Sequence, residues 1–428
     1  MNAPVPHSTA IRKIILRLIP FLCLLFIVNY LDRTNVAMAK LQMLGDTGLT
    51  DKSYGLGAGL FFIGYFLFEV PSNLILHRVG ARRWIARIMI SWGILAAAMM
   101  FTRGARSFYL LRFLLGLAEA GFFPGIVLYL TAWVPVSQRS KILGAFLTST
   151  ALSGVIGTPL AGLIMKMEGI GGLHGWQWLF LLEGLPAVVL GVAILASELL
   201  PDGPANAGWI TAAERLWIES ELAADHSRQH VNHAADFRAA AADRRLWLFS
   251  VIYFLLIMGL YGFIYWVPTI VKTFTHGDNF HVGLVAAIPY FVAAVSMVVI
   301  GAVADRTGRR RMVVAGCAAL GAIGIVGLCA ANEAVWGVAA LCVAAIGIFG
   351  TLGPFWTLPT RYLRHRAAAV GLAIINSTGA LSGFVAPTVI GWAKQSTGQF
   401  TVGLLVVAAS LLLAAVLILF VPANLEVN

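Results

Sequence analysis

The sequence predicts an all-α integral membrane protein of twelve transmembrane helices, and three observations predict it. The chain of 428 residues is 59% hydrophobic and only 11% charged, against roughly 25% charge in an ordinary soluble domain. Apolar runs of about 20 residues, enough to cross a bilayer as helix, recur along nearly its whole length. The runs are also continuous, whereas a barrel strand needs only about ten residues of alternating polarity.

The first six runs are Ile14 to Ala39, Tyr54 to Leu76, Trp84 to Thr102, Phe108 to Val134, Leu143 to Met165 and Trp176 to Leu199. Six more follow, from Leu246 to Val271, Val282 to Ala304, Met312 to Ala331, Val335 to Thr360, Ala367 to Ala393 and Val402 to Val421. Residues 1–200 are therefore expected to form one six-helix bundle and 246–428 a second, pseudo-symmetric to it. Between them lies the polar stretch 201–245, a linker, in which Thr211-Ala-Ala-Glu214 has the spacing of a capping box that opens a short charged helix.

Lys and Arg set the orientation. With the N-terminus inside, the inner loops carry Arg12, Lys13, Arg78, Arg82, Arg83, Arg139, Lys141, the linker's arginines, Arg306, Arg309 to Arg311, Arg361, Arg364 and Arg366. The outer loops carry only Lys40, Lys52, Arg103, Arg106, Lys166, Lys272 and Lys394, so both termini and the linker are expected in the cytoplasm. This spread over short loops accounts for the net charge of +11 without a nucleic-acid partner. The first run is too long for a signal-peptide core and ends in charged residues, so it is expected to stay in the mature chain. Cys23, Cys317, Cys329 and Cys342 all lie in apolar runs without metal or redox spacing and read as packing residues. With no metal-ligand cluster, phosphate-binding loop or nucleophile triad in view, neither an enzyme nor a cofactor is expected. A monomer is.

An internal repeat supports the two halves. Gly80-Ala-Arg82-Arg83 follows the second run and Gly308-Arg309-Arg310-Arg311 the eighth, an offset of 228. Arg139-Ser-Lys-Ile-Leu-Gly144 and Arg366-Ala-Ala-Ala-Val-Gly371 stand 227 apart, and Pro159 and Pro387 stand 228 apart. Two similar bundles can rock about a site at their interface and open it to each side in turn.

Ionisable groups inside the runs mark where such a site lies, because each costs at least roughly 2.5 to 3.5 kcal/mol at the centre of a membrane helix. Asp32 and Arg33 stand side by side in the first run, with Asn29 and Tyr30 on the helical face of Arg33, where Tyr30 is expected to join it in binding a substrate. Arg112 and Glu119 lie two helical turns apart in the fourth, with Gly116 between them, where a neighbour or a substrate can approach closely. Two cations and two carboxylates balance. If protons neutralise Asp32 and Glu119, then Arg33 or Arg112 is left free to bind a carboxylate with both prongs of its fork. The plainer alternatives are a permanent Asp32–Arg33 ion pair that pins the first helix and an Arg112–Glu119 packing pair. Glu69, Glu183 and Asp305 lie near helix ends or prolines and read as structural or gating.

These motifs resemble the major facilitator superfamily, and more narrowly its anion:cation symporter branch of bacterial organic-acid importers. The resemblance rests on Tyr30-Leu-Asp32-Arg33-Thr-Asn35, Phe68-Glu69-Val-Pro71-Ser-Asn73, Arg112-Phe-Leu-Leu-Gly116-Leu-Ala-Glu119-Ala-Gly121-Phe-Phe-Pro124 and Trp176-Gln-Trp178-Leu-Phe-Leu-Leu-Glu183-Gly184. It implies that Asp32 and Glu119 accept protons, that Arg33 holds the substrate carboxylate, and that Tyr65, Trp356 and Asn376 line a central cavity. The family's loop signature is complete as Gly301-Ala-Val-Ala-Asp305-Arg306-Thr-Gly308-Arg309-Arg310, but His77 stands at the matching acidic position of the first half. A gating latch is thus expected around Asp305 and Arg309.

Tyr261, Tyr265 and Trp266 beside Pro268 offer either a gate or an aromatic belt. The family's sugar-acid importers carry an amide where this chain has Ala151, close to Ser149 and Thr150. That loss points toward a short hydroxy-dicarboxylate such as tartrate, or an aromatic carboxylate, ahead of a sugar acid. The expected function is proton-coupled import of an organic anion across a bacterial cytoplasmic (inner) membrane, with the small anion, protons and the lipid bilayer as partners. A proton/drug antiporter is the alternative, disfavoured for cationic cargo by two arginines. A membrane sensor or enzyme has little support.

Overall fold

The computed structural model describes residues 6–135, 149–227, 242–275, 277–363 and 368–422, without the side chains of residues 6–8, 77, 224–227 and 368–369. Among these residues the chain forms helices and no strand. The first set is α1 (Pro6–Thr47), α2 (Asp51–Val79), α3 (Ala81–Ala98), α4 (Ala105–Glu119), α5 (Phe122–Thr131), α6 (Ser149–Ile164) and α7 (Gly175–Ala196). After the short polar helix α8 (Ala212–Ser227) come α9 (Arg244–Thr275), α10 (Asn279–Thr307), α11 (Arg310–Ala330), α12 (Ala334–Gly350), α13 (Leu352–Tyr362), α14 (Ala368–Thr397) and α15 (Thr401–Leu417). Twelve of the described helical stretches are long and apolar enough to cross a membrane, as the sequence predicts. Large apolar side chains such as Leu16, Leu67, Val70, Val189, Val298 and Phe420 stay exposed, the surface that a hydrocarbon solvent accepts.

Two runs that read as single helices are broken. The fourth divides between α4 and α5 at Gly121, whose φ of 88° suits a residue without a side chain, and any Cβ there would run into Ser72 of α2. The tenth divides at Thr351, between α12 and α13. Hydropathy does not register either break, because both leave the run apolar.

Within the first set α3 packs along α7, α2 along α4, and α1 against α6 and α7; within the second, α9 packs on α14 and α15, and α10 and α11 on α12. The two sets meet where α2 lies on α14, α6 on α10 and α1 on α9. Small residues permit the close approach that membrane helices use in place of a hydrophobic drive. A Cβ on Gly391 of α14 would stand 2.5 Å from the Asp51 carbonyl, and one on Gly162 of α6 would stand 2.6 Å from that of Asn279. Both crossings lie at the end of the bundle away from the chain termini, the far end.

That end is also closed by polar contacts. Lys40 Nζ of α1 lies 2.6 Å from Asp51 Oδ1 and 3.6 Å from the centre of the Trp266 ring of α9. The Tyr54 hydroxyl donates to the Tyr265 carbonyl at 3.1 Å. Toward the termini, no hydrogen bond among the described residues joins α2 to α14 beyond Glu69, which accepts from Asn376 Nδ2 at 3.1 Å and Ser377 Oγ at 3.2 Å.

The capping box forms as its spacing predicts. The Glu214 N–H donates to Thr211 Oγ1 at 3.3 Å and the Thr211 N–H to Glu214 Oε2 at 3.0 Å. Lys13 of α1 then meets Glu214 at 2.8 Å, and Trp209 stacks on Trp133 at 5.5 Å. The linker's start is thereby fastened to the first set of helices. The basic loop residues Arg139, Lys141, Arg364 and Arg366, and with them the repeat that begins at Arg139, lie outside the described residues, as does the His77 side chain.

Candidate functional site

Below the far-end closure lies a cavity of about 130 Å³, lined from both sets of helices. Phe26, Tyr30 and Arg33 of α1, Phe62 and Tyr65 of α2, Phe123 of α5 and Thr150 of α6 form one wall. Tyr253, Ile257, Leu260 and Tyr261 of α9, Leu352 and Trp356 of α13, and Asn376, Gly379 and Ala380 of α14 form the other. Of the residues expected to bind substrate, Tyr30, Arg33, Tyr65, Trp356 and Asn376 line it; Arg112 does not.

Arg33 is the only charged side chain in that lining among the described residues. Its Nε donates to Glu119 Oε1 at 2.9 Å, and its Nη2 contacts the same oxygen. The guanidinium carbon stands 5.3 Å from the ring centre of Phe61, 5.4 Å from Tyr65 and 5.9 Å from Tyr30. Aromatic faces stabilise a cation that water reaches poorly, and the Arg33 side chain is 13% exposed while that of Glu119 is fully buried. Glu119 Oε2 has no hydrogen-bond partner among the described residues.

Asp32 faces elsewhere. Consecutive helical residues do not share a face, and Asp32 Oδ2 accepts from the Trp92 indole of α3 at 2.8 Å, behind the cavity wall. The Asp32–Arg33 ion pair that the sequence left open is therefore replaced by Arg33–Glu119.

Arg112 does not pair with Glu119 either. Seven residues along a helix are about 10.5 Å, twice the spacing of the usual helical ion pair, and Arg112 instead donates to the Tyr265 hydroxyl at 3.3 Å and the Ala58 carbonyl at 3.4 Å. Its guanidinium lies 4.8 Å from the centre of the Phe61 ring, and the residue is buried. The Tyr265 hydroxyl in turn lies 3.3 Å from the Arg33 carbonyl, so α9 links the two arginine-bearing helices. Gly116 admits a neighbour rather than a ligand: a Cβ there would collide with the Phe61 carbonyl of α2.

On the opposite wall Asn376 reaches across to Glu69, and Trp356 packs edge-on against Tyr253 with ring centres 4.8 Å apart. Tyr253, Tyr261 and Phe62 are cavity residues that the sequence reading did not assign to a binding wall. The eight-residue spacing of Tyr253 and Tyr261 on one helical face was the available signal. Near the termini, Asp305 Oδ1 pairs with Arg310 at 3.1 Å, one residue beyond the expected Arg309, which instead stands at the turn that opens α11. No group of three or more His, Cys, Asp or Glu side chains suited to a metal occurs among the described residues.

Residues 22–387 match the family model of the Major Facilitator Superfamily. A protein of Agrobacterium vitis named "Putative tartrate transporter" is 45% identical over 96% of this chain and 91% of its own length. A "Quinolone resistance transporter" of Acinetobacter baumannii is 42% identical over 98% of this chain and 96% of its own. Among solved structures, a bacterial homolog of the human lysosomal transporter Spinster, in an inward-facing and occupied conformation, superposes with a TM-score of 0.70. That alignment covers 98% of this chain and 97% of the other at 15% identity, a likeness of fold.

Proposed function

This chain belongs to the major facilitator superfamily and is a membrane transporter, and from that premise we propose that it imports a small organic anion together with protons. The observation that carries the reading is Arg33, the one charged group on the cavity wall among the described residues, engaged by a buried carboxylate. Protonation of Glu119 removes the charge that holds Arg33. The freed guanidinium then takes a substrate carboxylate through its fork, so proton and anion bind together. Asp32, turned toward Trp92, is the second proton acceptor. Tyr30, Tyr65, Trp356 and Asn376 supply the remaining contacts, and Arg112 acts on Arg33 through Tyr265.

A cavity of about 130 Å³ suits a small polar molecule. With Ala151 in place of an amide, a hydroxy-dicarboxylate such as tartrate is the leading substrate, and an aromatic carboxylate or a sugar acid the next. Two bundles, residues 1–200 and 246–428, rock about the cavity while the linker holds them on the cytoplasmic side of the inner membrane. The sealed far end then faces the periplasm. A monomer suffices, because the cavity is complete within one chain.

The relative named for quinolone resistance favours a second reading, export of drugs against protons. A thermal-shift screen of the purified protein with L-tartrate, phthalate, D-galactonate and a quinolone separates the two. Stabilisation by a carboxylate that Arg33→Ala abolishes supports import of an anion. Stabilisation by the quinolone alone contradicts it.

A further inference from the structure

Glu183 of α7 is a buried carboxylate to which the Arg33–Glu119 site assigns no part. It is 5% exposed, its oxygens make no well-formed hydrogen bond among the described residues, and the one polar side chain within reach of them is the amide of Asn35. Asn35 of α1 is 4% exposed and has no well-formed hydrogen bond to any other described residue. Asn35 and Glu183 line one small cavity of about 20 Å³, close to the roughly 10 to 15 Å³ that a single water requires. Asp32, one helical turn below Asn35, lies within electrostatic reach of Glu183 and leaves its own Oδ1 unpartnered.

Among the described residues no cation serves this group. Arg33 is engaged by Glu119, Lys40 by Asp51, and Arg87 of the adjacent α3 lies over the Trp84 ring. The titratable groups near Glu183 are Asp32, behind the small cavity, and, in its lining, Tyr30 of α1 and Tyr290 of α10; the α6 and α9 residues in the lining are not ionisable. Burying an ionised carboxylate without a counter-charge costs several kcal/mol, and two such groups side by side repel. A neutral acid avoids both costs, and its O–H finds an acceptor in Asn35 Oδ1 or in a water within the cavity.

We propose that Glu183, with Asn35 and beside Asp32, forms a further proton-binding site, separate from Glu119 and reached through the one-water cavity. Glu183 takes up one proton to become the neutral acid and gives the same proton back. The cavity is walled by α1 and α6 on one side and by Ile264, Pro268 and Tyr290 of α9 and α10 on the other. Parting of those helices at the far end opens it to that side, so this proton enters from the far side and is enclosed in the present state. The inference holds whether or not the transported molecule is a carboxylate.

Infrared difference spectra of the full chain in lipid nanodiscs, without substrate at neutral pH, test it. The spectrum of the wild type minus Glu183→Gln is expected to show the carbonyl stretch of one protonated carboxyl, shifted in D₂O, which Glu183→Asp retains. Loss of ionised-carboxylate bands instead overturns the proposal. Disappearance of the protonated band when sodium replaces choline at fixed ionic strength also overturns it, because the site then takes a metal cation.

Discussion

Arg33 and Glu119 lie 86 positions apart in the chain, yet Arg33 Nε donates to Glu119 Oε1 at 2.9 Å, while Asp32, the covalent neighbour of Arg33, turns to Trp92. The charge of the cavity wall therefore depends on a carboxylate contributed by another helix. Protonating that carboxylate is the simplest way to change what Arg33 holds.

Removal of the guanidinium should abolish anion binding. Truncating one member of a buried charge pair costs about 2 to 5 kcal/mol, roughly thirtyfold or more in affinity. Arg33→Ala is expected to lose at least that in calorimetric titration with L-tartrate. Arg33→Lys, which keeps the charge but not the fork, should retain weak binding. Equal affinities in wild type and Arg33→Ala would remove Arg33 from the site.

The Trp92 indole gives Asp32 its one hydrogen bond among the described residues. Trp92→Phe strands a buried acceptor, which costs about 1 to 3 kcal/mol, and should lower the melting temperature of the detergent-solubilised protein. Combining it with Asp32→Asn should cost less than the sum of the two, since they share one contact. Strict additivity in this double-mutant cycle would show that the bond contributes nothing.

At the far end, Lys40 joins Asp51 of the first set to the Trp266 ring of the second. Lys40→Gln should loosen this closure and raise the labelling rate of a cysteine introduced at Ile264 by a membrane-impermeant maleimide added from the far side. A rate unchanged from the background with Lys40 intact would mean that the helix crossings at Gly391 and Gly162 close this end unaided.

The linker carries a pH dependence of its own. Burial alone would raise Glu214, but Lys13 and the N–H and hydroxyl of Thr211 outweigh it and hold the carboxyl down to about 2. A depressed carboxyl contributes its stability above the unfolded value of roughly 4.3 and loses it as the pH falls toward about 2. Docking of α8 on α1 should therefore persist at pH 5 and weaken near pH 3. Lys13→Ala should move that loss upward, as read by hydrogen exchange of residues 212–227. Exchange in that segment that stays constant from pH 5 to pH 3, after correction for the intrinsic rate, would exclude the Glu214 contacts as its anchor.

Much of this was legible in the chain. Twelve apolar runs, a capping box at Thr211 and five of the six expected binding residues in one cavity follow from patterns that hydropathy, turn chemistry and motif spacing record. The pairing of charges was not. Which side of α1 Asp32 and Arg33 face depends on the rotation of α1 against α3 and α4, and the seven-residue spacing of Arg112 and Glu119 describes a shared face without the partners on other helices, Tyr265 for Arg112 and Arg33 for Glu119, that draw them apart. The breaks at Gly121 and Thr351 leave no mark in hydropathy. Tyr253 and Tyr261 were hidden for a different reason, since aromatic side chains at helical spacing pack far more often than they bind.

The central claim, that protonation of Glu119 frees Arg33 to carry an anion inward, is tested most directly in proteoliposomes with radiolabelled L-tartrate and an imposed pH gradient, acid outside. The wild type should accumulate tartrate above equilibrium and stop when the gradient is collapsed, while Glu119→Gln exchanges tartrate across the membrane without accumulating it. Gradient-driven accumulation by Glu119→Gln at the wild-type level would contradict the claim.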